Sequence, residues 1–165
     1  MASQAIALLR REHAVLEKDL QQRVVEVGEL PGATPARAAE IQRRLLRWLD
    51  RVLEHDDWEE RVLFPAVDKY AGSGGHAFTA TLRHEHRLTA RWLLELRGLV
   101  QEGAPQAVIA RRADQILGLL MAHLDTETAV LVHVLDAVTS DHVFHRDIAA
   151  RMSRSVPSEG SDEDD

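Results

Sequence analysis

The chain of 165 residues contains no cysteine. That excludes disulfide frameworks, thiolate catalysis, zinc ribbons and iron–sulfur clusters together, and leaves histidine, aspartate and glutamate as the ligands for any metal. Aromatic residues make up only 4% of the sequence, with 9 Gly and 5 Pro; a β-sheet protein would need more β-branched and aromatic residues and more turn punctuation. No apolar run approaches the ~20 residues required to cross a bilayer. The opening MASQAIALLRREHAVLEKDL is broken by charge at Arg10 and runs on as an amphipathic pattern, so it does not read as a secretory leader. Basic residues are in deficit, 20 against 27 acidic for a formal charge of −7, which argues against phosphate-backbone binding and so against a nucleic-acid partner. The expectation is a cytoplasmic protein without membrane or nucleic-acid partners. Protein partners are not specified by these features.

What is present is helix-forming sequence: hydrophobic residues at 45%, in long stretches of Ala, Leu, Arg and Glu. A chain of this length can bury roughly two-thirds of its unfolded surface, enough for one core without staples. Sparse punctuation divides it into four long helical segments, from about Ser3 to Val27, from Pro35 (capped by Thr34) to Phe64 where Pro65 stops it, from His76 to Gln101, and from Pro105 to Val138. The short connections favour antiparallel neighbours. The predicted fold is all-α, an up-down-up-down four-helix bundle over residues 1–152, with a short fifth helix opened by Ser140 and Asp141 that returns Val143, Phe144 and Ile148 to the bundle. Residues 153–165 hold five acids, one arginine and a single aliphatic residue, Val156. They read as a disordered, solubilising acidic tail.

The apolar stripes of these helices are interrupted in a pattern. Helix one carries Ile6, Leu9, His13, Leu16, Leu20, Val24 and Val27 at spacings of three and four. Helix two carries Ile41, Leu45, Trp48, Val52, His55, Glu59 and Val62, and the last long helix carries Ile109, Ala113, Ile116, Leu120, His123, Glu127, Val130 and Val134. The third stripe is Leu82, His86, Thr89, Leu93, Leu96 and Val100. Every long helix therefore points an imidazole inward, and two of them add a glutamate one turn further on. Helical rise puts His55 and His86 level and leaves His13 about 9 Å out of level with His55. A single buried histidine is ordinarily a hydrogen-bonded core residue. Two buried carboxylates with no lysine or arginine on the same stripes are different, because each would cost several kcal/mol unless a cation balanced it.

The ordered set His13, then His55-x-x-x-Glu59 within the run EERVLFP, then Glu85-His86, then His123-x-x-x-Glu127 resembles the hemerythrins and hemerythrin-like HHE cation-binding proteins. The resemblance covers about residues 5–138. It implies a non-haem centre of two iron ions, oxo- or hydroxo-bridged, with Glu59 and Glu127 bridging and His13, His55, His86 and His123 as terminal ligands. Oxygen-carrying hemerythrins have a second histidine on the third helix, where this chain has Leu82, and an aspartate where it has Glu127. The H, HxxxE, H, HxxxE pattern looks more like the bacterial branch associated with oxidative or nitrosative stress.

Neighbouring polar residues have quieter readings. Asp56, Asp57 and Glu60 fit the wet side of helix two, yet any of them could replace the missing sixth protein ligand. Glu85 borders the site as a solvated acid or as a hydrogen-bond partner of a ligand imidazole. Glu17 and His84 read as surface, His76 as a loop residue, and His133, His142 and His145 lie off the stripe or beyond it. Tyr70 reads as a packing residue. Catalytic residues are not specified. The resulting expectation is a di-iron protein that binds or reacts with dioxygen, peroxide or nitric oxide in a stress response. A peroxide- or nitric-oxide-consuming enzyme, a ligand store, and an iron or oxygen sensor would share these ligands. The rival reading is a structural interaction bundle with a vestigial metal site. Manganese and zinc also accept nitrogen and oxygen ligands.

Overall fold

A computed structural model describes residues 4–70 and 75–137. The short fifth helix, the acidic tail and its boundary at 153, His142 and His145 lie outside the described residues, as do the side chains of Tyr70, His76 and His133. Helix α1 is Gln4–Glu29, α2 Pro35–Trp58, α3 Phe64–Tyr70, α4 Gly75–Gln101 and α5 Gln106–Ala137, with no strand among the described residues. Helix α1 packs on α2 and α5, and α4 packs on the same two helices. The four long helices thus close a ring around one core, which includes Leu20, Leu30, Ile41, Leu45, Trp48, Leu49, Leu93, Leu96, Ile116 and Leu120.

The local chemistry accounts for most element ends. Thr34 caps α2 by accepting from the backbone N–H of Arg37 at 3.3 Å, and Pro35 occupies the first turn, where its missing N–H costs nothing. Helix α4 ends because Gly103 takes the left-handed conformation at φ 67°. The N–H of Gly103 then reaches the carbonyl of Val100 and that of Ala104 the carbonyl of Leu99, which satisfies the last orphan carbonyls.

Two expectations need correction. Pro65 does not stop the second helical segment. Glu59–Leu63 form a wide π-helical turn closed by the Phe64 N–H on the Glu59 carbonyl, and the chain continues as α3 to Tyr70. A proline ring ordinarily collides with the carbonyl four residues back, and widening the turn just before it moves that carbonyl aside. Along α1, Val24 is 39% exposed while Arg23 and Glu26 are buried. Arg23 Nη1 lies 2.8 Å from Glu26 Oε2, and Glu26 Oε1 lies 2.8 Å from Arg44 Nη2 on α2. A step of three from Leu20 rather than four sets the inward face here, and it carries an arginine after all.

The apparent height mismatch of His13 also has an explanation. Helix α1 runs two residues past Val27 and then through a 3-10 turn, Leu30–Gly32, before α2 begins. Those residues add about 9 Å of rise, which brings His13 level with His55.

Candidate metal centre

The stripes deliver their polar residues to one place. His13 comes from α1, His55 and Asp56 from α2, Glu59 from the start of the π turn, His86 from α4, and His123 and Glu127 from α5. Glu59 and Glu127 have no exposed surface, and His13, Asp56, His86 and His123 are buried. Their potential ligand atoms fall into two compact groups: His13, His55, Glu59 and Glu127, and Asp56, Glu59, His86 and His123. Glu59 belongs to both. Its Oε1 lies 3.0 Å from His55 Nε2 and 3.7 Å from His13 Nε2, while Oε2 lies 3.5 Å from His86 Nε2. Oε2 of Glu127 sits between the groups, 3.4 Å from His13 Nε2 and 3.3 Å from His123 Nε2.

The imidazoles are held from behind. His13 Nδ1 lies 3.0 Å from Thr128 Oγ1, His86 Nδ1 3.2 Å from Glu60 Oε1, and His123 Nδ1 2.8 Å from Glu85 Oε2. For His55 the nearest acid behind Nδ1 is Glu12, at 3.9 Å, beyond a hydrogen bond. The carboxylates behind His86 and His123 make Nδ1 the donor and leave the Nε2 lone pair facing the centre, the arrangement that supports metal-bound histidines, and the Thr128 hydroxyl can accept from His13 in the same way. Trp58 stacks over His55 and Phe64 over His86, with centroids 6.3 and 5.3 Å apart.

Whether a cation suits these residues is tested by their unsatisfied atoms. All four carboxylate oxygens of Glu59 and Glu127 are buried without a well-formed hydrogen bond, as are His13 Nε2, His55 Nε2 and Asp56 Oδ2. Imidazoles approach the carboxylates but do not aim hydrogens at them. His86 Nε2 and His123 Nε2 face each other at 3.1 Å; if both donate through Nδ1, two lone pairs oppose one another. Two nitrogens bound at about 2.1 Å and at right angles to one ion lie about 3.0 Å apart. The donor set fits a cation in each group.

Protons are the competing cations. Burial pushes His55 down, but the Glu59 carboxylate outweighs it and raises the imidazole to about 10. His123 rises to about 9 against the same burial, through Glu127 and then Glu85. His86 is raised, with burial opposed chiefly by Glu59 and Asp56. Burial lifts Asp56 to about 6, and burial together with the charge of Glu59 raises Glu127. Glu59, although buried, is held well below the usual carboxylate range by His55 and the other imidazoles around it.

All six predicted ligands therefore meet, and the neighbours sort themselves. Asp56 corrects its reading as a wet-side residue, being 5% exposed and within the second group, whereas Asp57 is exposed and pairs with Arg61. Glu60 and Glu85 are half-buried and each directs a carboxylate oxygen to an imidazole. Leu82 is fully buried, while Glu17 and His84 are exposed. Thr128 and Glu12 were not singled out in the sequence. Asp56 stands three residues before Glu59, on the same helical face, and that spacing was the available signal. The acids behind the imidazoles adjoin a site residue in sequence but serve a histidine on another helix, which no local pattern reveals.

With four long helices among the described residues, two cation-sized donor groups and a shared glutamate, the molecule is an all-α bundle with a candidate histidine–carboxylate metal site. The hemerythrin HHE cation binding domain matches residues 4–135, and the chain belongs to that family. Comparison with curated proteins and with solved structures gives no significant match. No helix among the described residues is long and apolar enough to cross a membrane.

Proposed function

We propose that the protein is a non-haem di-iron protein of the cell interior that binds or reacts with small ligands (dioxygen, peroxide or nitric oxide) in defence against oxidative or nitrosative stress. The observation that carries this reading is Glu59, fully buried and directing one oxygen to each of two donor groups. A single ion would leave one group of buried donors uncompensated. His13, His55, Glu59 and Glu127 would hold one ion, and Asp56, Glu59, His86 and His123 the other. A pair of ferrous ions supplies electrons to a bound oxidant, or an open coordination position to a neutral diatomic molecule.

The residues themselves set charge, access and placement. Three carboxylates against two divalent cations leave about one net positive charge, which favours an anionic or readily reduced ligand. Asp56 would provide an oxygen on the side where Leu82 cannot ligate, and Glu127 Oε2 lies 3.3 Å from His123 Nε2 as well as 3.4 Å from His13 Nε2, so the ion held by His13 and His55 would be the less saturated one. A narrow void lined by Leu16, Trp48, Val52, Leu120 and Leu124 abuts His55, Asp56 and His123. Its narrow apolar wall suits a small molecule and excludes larger substrates.

Metal analysis of the purified protein, with an optical spectrum before and after peroxide, tests the reading. The expected result is about two iron atoms per chain and peroxide loss above that caused by free iron. A single metal after iron reconstitution sinks the dinuclear assignment. A long-lived oxygenated form that releases dioxygen under vacuum, without peroxide consumption, would favour a carrier instead.

A further inference from the structure

The two donor groups are backed differently. Behind His86 and His123 stand carboxylates within hydrogen-bond distance, whereas His13 has a neutral hydroxyl there and the acid behind His55 Nδ1, Glu12, is 3.9 Å away. One carboxylate is itself held. Arg83, one turn before His86 on α4, places Nη1 3.6 Å from Glu60 Oε2, while the other oxygen of Glu60 lies 3.2 Å from His86 Nδ1. The same guanidinium reaches Asp68 Oδ2 and Thr79 Oγ1, each at 3.4 Å, and lies 5.2 Å from the centre of the Phe64 ring that stacks on His86. Arg83 is therefore fixed by three polar neighbours and an aromatic face, and Glu60 is suspended between it and His86.

We propose that Arg83 is a positioning residue that, through Glu60, makes the Asp56–His86–His123 half of the centre the tighter cation position and the first to fill. The inference rests on the dinuclear reading above. A carboxylate pinned behind Nδ1 fixes the ring and strengthens Nε2 as a donor, and removing such a partner typically costs about 10–100-fold in metal affinity. Asp56 adds a carboxylate that only this half holds, whereas Glu127 Oε2 lies between the halves, 3.3 Å from His123 Nε2 and 3.4 Å from His13 Nε2. Loading is then ordered: one cation settles against Asp56, His86 and His123, and the second enters the less supported His13–His55 half, where it stays more exchangeable.

The test is anaerobic titration of the metal-free full chain with ferrous ion, followed by calorimetry. The native chain should bind two ions in two resolved steps. Arg83→Leu should loosen the tighter step by roughly tenfold or more and leave the weaker one in place, and Arg83→Lys should restore part of the loss. Thr128→Val should loosen only the weaker step. If Arg83 acts through Glu60, the double variant Arg83→Leu/Glu60→Gln should be no worse than Glu60→Gln alone. Arg83 also ties α3 to α4, so a structural control is needed: Glu26→Gln, at the other end of α1 from His13, should lower the unfolding temperature without reordering the steps. If Arg83→Leu does not fold, Glu60→Gln must still loosen the tighter step. Equal loosening of both steps, no loosening, or additive losses in the double variant overturns the proposal. One ion bound by the native chain overturns the dinuclear reading and this inference with it.

Discussion

The two ends of the bundle bury charge in opposite ways. Away from the site, the buried Glu26 sits between two arginines, Arg23 of its own helix and Arg44 of α2, each at 2.8 Å. At the site, Glu59 and Glu127 are more deeply buried and meet only imidazoles that are not aligned to donate to them. At one end two arginines of the chain already balance the buried charge; at the other it is left to a set of donors that suits a cation. A buried carboxylate balanced by arginine stabilises one arrangement of helices. A buried carboxylate left to histidine makes folding and cation binding parts of one equilibrium.

This contrast can be broken most forcefully at the shared carboxylates. Glu59→Ala and Glu127→Ala should each reduce bound metal to a small fraction of the native content, while His84→Ala, on the exposed face of α4, should leave it unchanged. Elemental analysis after reconstitution decides the matter, and retention of metal by the glutamate variants would mean that the site end resembles the other end after all.

Next in size is the effect of pH on the metal-free chain. His55 and His123 titrate near 10 and 9 in the folded cluster, above the ordinary histidine value of 6.5. A raised folded value means that their contribution is fully present below about pH 6.5 and is lost as pH rises through 9 to 10. Chelator-treated protein should therefore melt at progressively lower temperature across that window. Metal-loaded protein should behave in the opposite sense on the acid side, because protons displace the cation from the same nitrogens. Parallel melting curves for the two forms would contradict the competition.

At the closed end, Glu26→Gln should cost about 1–3 kcal/mol of unfolding free energy, since it leaves Arg23 buried with a weaker partner. Metal content should not change. The smallest effect is expected at Asp57, exposed beside Arg61. Asp57→Ala should alter stability by less than about 0.5 kcal/mol and leave metal content intact, whereas Asp56→Asn, one residue away but buried, should loosen one of two ions. Equal behaviour of the two variants in a metal titration would remove Asp56 from the site.

The sequence by itself determined that the protein is a helical bundle and which six residues come together. Amphipathic periodicity fixes the inward face of each long helix, and His13, His55, Glu59, His86, His123 and Glu127 lie on those faces because a 3.6-residue repeat puts them there. Only the tertiary structure decided the rest. The π turn that carries the chain past Pro65 depends on how α3 packs against α4, and the inward turn of Asp56 depends on which neighbouring helix covers that edge of α2. The choice of Arg23 over Val24 follows from the position of Arg44 on another helix. The acids behind the imidazoles, Glu60 to His86 and Glu85 to His123, reach across helices separated by 26 and 38 positions in the chain. A local repeat specifies a direction from one helix axis, but the partner met in that direction is set by the packing of whole helices against each other.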